Sequence, residues 1–521
     1  MELKERTIQM PFISLVKASV EGHLAKADQR EFSPFFDPRS FLLFCRNPTL
    51  ATSSQNKFTP EAFLDHLAVG VAKYRSLDDG LTYLLKETAW LHEIRHFHDC
   101  VCSITGYGQF LREWHVLHRL CVELDNFRRA GIFLEVPLHW AYVSDFVDIS
   151  PRLKEFYYEA YNRHSNLMLY STIMNGDIPV CGAPADLCDE EIIWCEYSDS
   201  PEKELRIPFY PGGAIADNRK ECVLIALGFR ALAEASAVIL QQQIIRSLGQ
   251  PFADEYYRRL RRAPEYIVLN FLLTKIHGRC MAGRGVRDDG WDLERELFRI
   301  IHATLSHRTG HDLRRTPGNV LVDLLKQRVN SVECKFEFSA QDTMQNMQEA
   351  MVIYSEDMAG NQQHDGLLEN ILKFALEKCL IPTIDVFKKQ EHVELFPLDT
   401  PQWYEFFQLE LPQPPLSVQG NYIGHSPYIS DDEAMKLLYL IIGWICIQSA
   451  TKQVLTEYEL SCPIKSGEYR WLFGVQLARD VAGCDDASRG KPCVVKLGSR
   501  MGEAKRCMWK ECLVALAFAG E

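Results

Sequence analysis

Apolar residues recur along much of this chain at the spacing of a helix face. From Glu61, the positions Phe63, Leu64, Leu67, Val71 and Tyr74 follow one another at steps of three and four. Asp78-Asp79-Gly80 predicts a break, after which a second helix runs from about Leu81 to Cys102. Thr105-Gly106-Tyr107-Gly108 predicts a turn, and a third helix follows from about Gln109 to Arg129, closed by Gly131. Between 132 and 215 the pattern shifts. Short strand-like runs (Phe133 to Val136, Ile192 to Tyr197) alternate with helical and Pro/Gly-rich pieces, and Pro211-Gly212-Gly213 reads as a loop. A long helix is expected from about Glu221 to Leu248, ended by Gly249 and Pro251, with further helices over 252–330.

The rest divides on weaker signals. Residues 1–60 carry five prolines and the polar run Thr52 to Asn56, and predict an irregular N-terminal segment. Residues 261–410 form a helical region with Pro-marked breaks towards its end. Leu411 to Pro415 is the best linker, leaving 411–521 as a C-terminal region with one apolar helix near 432–456. No internal repeat or low-complexity block interrupts this. The expected fold class is α+β, predominantly α-helical.

Composition narrows the class. The chain has 521 residues, 47% hydrophobic and 24% charged, which excludes a disordered or fibrous protein. Its net charge of −13 argues against a general nucleic-acid or anionic-membrane binder. The longest apolar stretch, Leu437 to Cys446, is about half of the roughly 20 residues a membrane span needs, so it reads as a buried helix. The N-terminus mixes both charge signs with no apolar run after them, unlike a secretory signal. Seventeen cysteines, an odd number scattered along a long chain, fit reduced thiols and a cytoplasmic setting.

The chemistry concentrates in His92-Glu93-Ile94-Arg95-His96, an HExxH motif in the second expected helix. Residues four apart lie one turn apart on the same face. Two imidazoles so placed can bind one metal ion at about 2.0–2.1 Å each. The intervening Glu93 lies beside that face, where it can take a proton from a metal-bound water whose pKa has fallen to about 7. Five of the 16 histidines lie between His92 and His118.

These residues resemble the motif of the zincin superfamily of zinc metallopeptidases, over about ten residues of the chain. Two positions depart from that pattern. Arg95 stands where zincins usually have an uncharged residue, and His98 where they usually have an apolar one. An arginine on a buried helix needs a partner. Either the helix is more exposed than usual, or Arg95 pairs with a carboxylate such as Asp99.

The resemblance implies a zincin-like core, with the HExxH helix and a second ligand-bearing helix, over about residues 61–260. It also implies zinc (Zn2+) and a third protein ligand. The metzincin pattern fails, because Asp99 and Cys102 occupy its Gly and His positions. Cys102 through sulfur is a remaining option. The gluzincin pattern takes a Glu from a second helix, and two compete. Glu113 comes nearly level with His96 if the helices form a hairpin about residue 105. Glu234 sits among small residues in Ala231-Leu232-Ala233-Glu234-Ala235-Ser236-Ala237, where another helix can pack close. Against these stand a solvated Glu113 beside Arg112 and a Glu234 paired with Arg230. Glu234 is the preferred ligand, and Tyr210 is a guess for an oxyanion stabiliser.

Other groups carry less. His307 and His311, with Asp312, read as a helix end. Cys462, Cys484, Cys493, Cys507 and Cys512 have no Cys-x-x-Cys spacing and read as buried thiols, as do Cys100 and Cys102. Arg258 to Arg262 reads as a solvated face, and no phosphate-loop or dinucleotide fingerprint occurs. The expected function is a cytoplasmic zinc-dependent hydrolase, most simply a metallopeptidase acting on a protein or peptide. His92, His96 and Glu234 hold the metal, and Glu93 is the general base. The alternative is a non-catalytic interaction or regulatory protein with a structural or vestigial metal site, which Arg95 keeps open.

Overall fold

The computed structural model describes residues 4–10, 35–37, 42–45, 60–101, 103–130, 181–182, 191–197, 203–209, 223–260, 266–284, 293–305, 316–330, 416–418, 421–424, 442–449, 460–462 and 494–495, with single positions near 155–159, 370–381 and 440. Among these, helix predominates and strands are fewer, as an α+β class dominated by helix requires. Eight helices order the core: α1 Pro60–Val71, α2 Leu77–Val101, α3 Ile104–Arg129, α4 Phe229–Ser247, α5 Gln250–Leu260, α6 Val268–Arg284, α7 Leu293–Leu305 and α8 Pro317–Asn330.

The expected break at Asp78-Asp79-Gly80 is instead the first turn of α2. Ser76 caps that turn: its Oγ accepts the Asp79 N–H at 3.0 Å and donates to the Asp79 carboxylate at 2.6 Å. The acidic pair stands at the positive end of the helix dipole, which favours initiation. Thr105 to Gly108 is likewise no turn but the start of α3. Ser103 makes the connection, accepting the Gly106 N–H at 3.0 Å and donating to the Asp99 carbonyl. Gly106 serves close approach: a Cβ there would lie 2.2 Å from the Cys100 carbonyl oxygen.

The long helix expected from Glu221 starts later. Val223–Ala226 is a strand, β7, and Gly228 then caps α4. A short apolar run fits either a buried helix or a buried strand, and pairing with a neighbouring strand decides it here. The stop at Gly249 is as expected, with φ 140°, and Pro251 stands in the first turn of α5.

Strand β7 belongs to a five-stranded sheet built with β1 Lys4–Met10, β4 Cys181–Gly182, β5 Glu191–Tyr197 and β6 Lys203–Phe209, in the order β1-β5-β6-β7-β4. Within this sheet the β1–β5 pair is parallel, Lys4 opposite Glu191 through Met10 opposite Tyr197, and the other described pairs are antiparallel. The N-terminal segment expected to be irregular thus supplies an edge strand. It also supplies β2 Phe35–Asp37 and β3 Leu42–Cys45, which join strands β8 Leu416–Val418 and β9 Asn421–Gly424 in a second sheet. Leu460–Ser461 (β10) and Val494–Val495 (β11) form a short ribbon. The apolar C-terminal helix is described over 442–449, and buries Trp444 against Phe110 of α3.

The core centres on α4, which is buried nearly all round and packed by α2, α5, α6 and α7. A helix apolar on every side belongs in an interior. Its small residues Ala231, Ala233, Ala235, Ser236 and Ala237 are all buried, which lets α2 approach closely. From α2, the stripe Leu81, Leu84, Thr88, Leu91, Arg95 and Phe97–Asp99 is buried. Thr88 meets Gln241 while Arg95 meets Ser236, so the two helices run antiparallel. Of the metal-ligand candidates, His92 falls between those two contacts, and His96 and Glu234 lie just past the Arg95–Ser236 contact. The expected linker at 411–415 and the loop at 211–213 lie outside the described residues, as does the run at 133–136.

Candidate metal centre

His92 and His96 project from successive turns of α2, their ring centroids 4.7 Å apart and their planes nearly perpendicular at 89°. Glu234, in the second turn of α4, reaches both. Its Oε2 lies 3.2 Å from His92 Nε2 and 3.3 Å from His96 Nε2. One ligand atom from each residue can be chosen so that all lie within 4.8 Å of one another. Three ligands of a tetrahedral zinc at about 2.0–2.1 Å stand about 3.3 Å apart, the edge of that tetrahedron. The two carboxylate–imidazole separations are of that size, and the donors (two imidazole nitrogens and a carboxylate oxygen) suit zinc. The three side chains keep 13–14% of their surface open, so the centre lies at the edge of the core with access from outside.

Without an ion the charges settle among the protein groups. Burial alone lowers the His96 pKa. The Glu234 carboxylate and the smaller contributions of Glu93 and Asp99 together outweigh it, and the imidazole rises to about 9. Burial would raise Glu234, but the two histidines hold its carboxyl well below the usual range. The site is therefore an anion clasped by imidazolium. A divalent cation could take the place of that proton in the same electrostatic role. Glu93 is half-buried beside this face, and its charge reaches His96.

Arg95 points away from the metal face into the α2–α4–α7 junction. The sequence left two solutions for its charge, and the second is found. The side chain is 2% exposed and bonds Asp99 Oδ1 at 2.7 Å. Its Nε donates to Ser236 Oγ, and Nη2 lies 3.1 Å from His302 Nε2. Phe298 of α7 offers its ring face at 5.4 Å. Burial and then the Arg95 charge hold His302 well below its usual range, so it is neutral and accepts from Arg95. His98, the other departure, is buried with its ring against Phe97.

The competing ligand is elsewhere: Glu113 Oε1 accepts from Gln448 Nε2 at 2.8 Å, in the contact between α3 and the 442–449 helix. The hairpin assumption misplaced it because α3 begins five residues earlier than expected. Cys102, Tyr210, His307, His311, Asp312, Cys484, Cys493, Cys507 and Cys512 lie outside the described residues. Cys462 is buried. In the basic run, Arg258 pairs with Glu255 at 2.6 Å and Arg259 bonds the backbone oxygen of Asp78 at 3.0 Å, so both cations meet acidic neighbours on a solvated face.

Two groups beside the centre were missed from the sequence. The Tyr266 ring lies 6.4 Å from that of His92. One turn before His92 on α2, Thr88 Oγ1 accepts from Gln241 Nε2 at 2.8 Å, and Gln241 Oε1 accepts from the Tyr256 hydroxyl at 2.7 Å. Thr88 lies at i−4 from His92 and Gln241 at i+7 from Glu234, so helical spacing from the ligands could have found this pair. Tyr266, in a connection between helices, carried no such signal.

No family model matches the chain, and neither a curated protein nor a solved structure is detectably similar to it.

Proposed function

We propose that this protein is a zinc-dependent hydrolase, a metallopeptidase that cleaves a protein or peptide in the cytoplasm. The observation that carries the reading is the closure of Glu234, from a helix far along the chain, onto both histidines of the HExxH turn. His92, His96 and Glu234 hold the zinc. When bound, the ion supplies Lewis acidity that makes water a nucleophile near neutral pH and polarises a scissile carbonyl. Three protein ligands leave a fourth position open, the pattern of catalytic rather than structural zinc sites. Glu93, next to His92 and half-buried, accepts the proton from the attacking water and passes it to the leaving amine. Arg95, the residue that favoured a non-catalytic role, has its charge met by Asp99 beneath the site.

The test is the Glu93→Gln variant in zinc-loaded protein. Removal of the base is expected to leave fold and one zinc per chain intact. It should lower peptide hydrolysis by at least about a hundredfold, the usual worth of a general base. Full turnover by this variant would sink the catalytic assignment.

A further inference from the structure

The ligands of this centre come from two helices, so their spread depends on how α2 and α4 are set against each other. Apolar contact holds the helices together but is non-directional and does not fix their sliding register. A coordination sphere tolerates only about 0.2 Å in ligand distance. Something directional must set the register, and the nearest such contact is the Arg95 cluster. Arg95 precedes the ligand His96 by one residue on α2, and Ser236 follows the ligand Glu234 by two on α4. Their bond joins the helices next to the site, and it is wholly buried, with Ser236 at 0% and Arg95 at 1% exposure. Asp99 on the same helix holds the guanidinium in place, and His302 anchors it to α7. A buried ionic cluster is a poor way to gain stability, since an apolar replacement often does as well. Its best-attested use is to specify register.

We propose that Arg95 is a positioning residue of the metal centre. Its bonds to Ser236 and His302, with Asp99 holding the guanidinium, fix the register of α2 against α4 at which His92, His96 and Glu234 close on one ion. This rests on the reading of the three residues as a metal site.

The experiment titrates the full chain, freed of metal, with cobalt(II), following the visible absorption bands that report coordination geometry. Two conservative variants are chosen to disturb the fold least, and circular dichroism checks that they keep it. Ser236→Ala removes one atom and leaves the Arg95–Asp99 pair intact. Arg95→Lys keeps the cation beside Asp99 but cannot reach Ser236 and His302 together. Each is expected to bind cobalt roughly ten- to hundredfold more weakly than wild type, the usual effect of losing an outer partner of a metal site, with altered band positions or intensities. The titration is run well below the unfolding temperature, where a merely structural role lowers Tm but leaves affinity and spectrum unchanged. Wild-type affinity and spectrum in both variants would overturn the inference. Cobalt binding that survives His92→Ala in an otherwise wild-type chain would overturn the metal site itself, which is a separate result.

Discussion

At the scale of residues, the metal-free site makes a prediction of definite sign. The Glu234 carboxylate, set against burial, raises His96 to about 9, above the roughly 6.5 of an unfolded chain. Stability from this ion pair is therefore fully present below about pH 6.5 and is lost as pH rises through about 9. Glu234 is shifted the other way, so its share is present above the ordinary carboxylate range and lost in acid. Metal-free protein should lose stability between pH 6.5 and 9, by about 3 kcal/mol at most for a shift of this size. Denaturant melts of wild type and Glu234→Gln across that range check it, since the variant should lack the slope. Zinc affinity should rise over the same interval, because the ion must displace the His96 proton. His92→Ala and His96→Ala should each abolish stoichiometric zinc, measured as metal content after dialysis.

The helices show where sequence reasoning succeeds and where it stops. The HExxH turn and Glu234 were legible because each is local: a four-residue spacing in one case, a carboxylate among small residues in the other. Helix starts were not. Asp78 and Asp79 read as a break, since acidic residues and glycine favour loops. Only the Ser76 cap, a contact of one serine with a backbone amide, turns them into a first turn. Val223–Ala226 was read as helix because an apolar run says nothing about its neighbours, and its strand state is settled by pairing with β6. Gly106 gives a test at this scale. The Cys100 carbonyl would be 2.2 Å from an added Cβ, so Gly106→Ala must spread α2 from α3. Overpacking of that kind costs about 1–3 kcal/mol, and should appear as a lower Tm with the helix content kept.

Over the whole molecule, the least legible feature is the edge strand β1. Nothing local in Lys4–Met10 names Glu191–Tyr197 as its partner, because strand pairing across so many residues leaves no periodic trace. Side-chain contacts of Glu5 and Gln9 help secure it, Gln9 donating to the Glu196 carboxylate. Trp194 donates to Glu5 Oε2 at 2.9 Å, and Lys326 of α8 meets Glu5 Oε1 at 2.5 Å. Deleting residues 1–10 should lower Tm and bare the β5 edge, which then invites pairing between copies. Light scattering on heating, compared with the intact chain, measures that. No helix among the described residues is long and apolar enough to cross a membrane.

The reach of Glu234 back to the HExxH turn also sets an order of events in the cell. The glutamate follows His92 by 142 residues. At about 5–20 residues per second, the growing chain displays both histidines for roughly 7–28 s before that carboxylate is even made. During that interval the α2 turn offers two nitrogens and no third ligand. For the metal site proposed above, tight binding is expected to await the docking of α4, so that uptake of the ion would coincide with consolidation of the core.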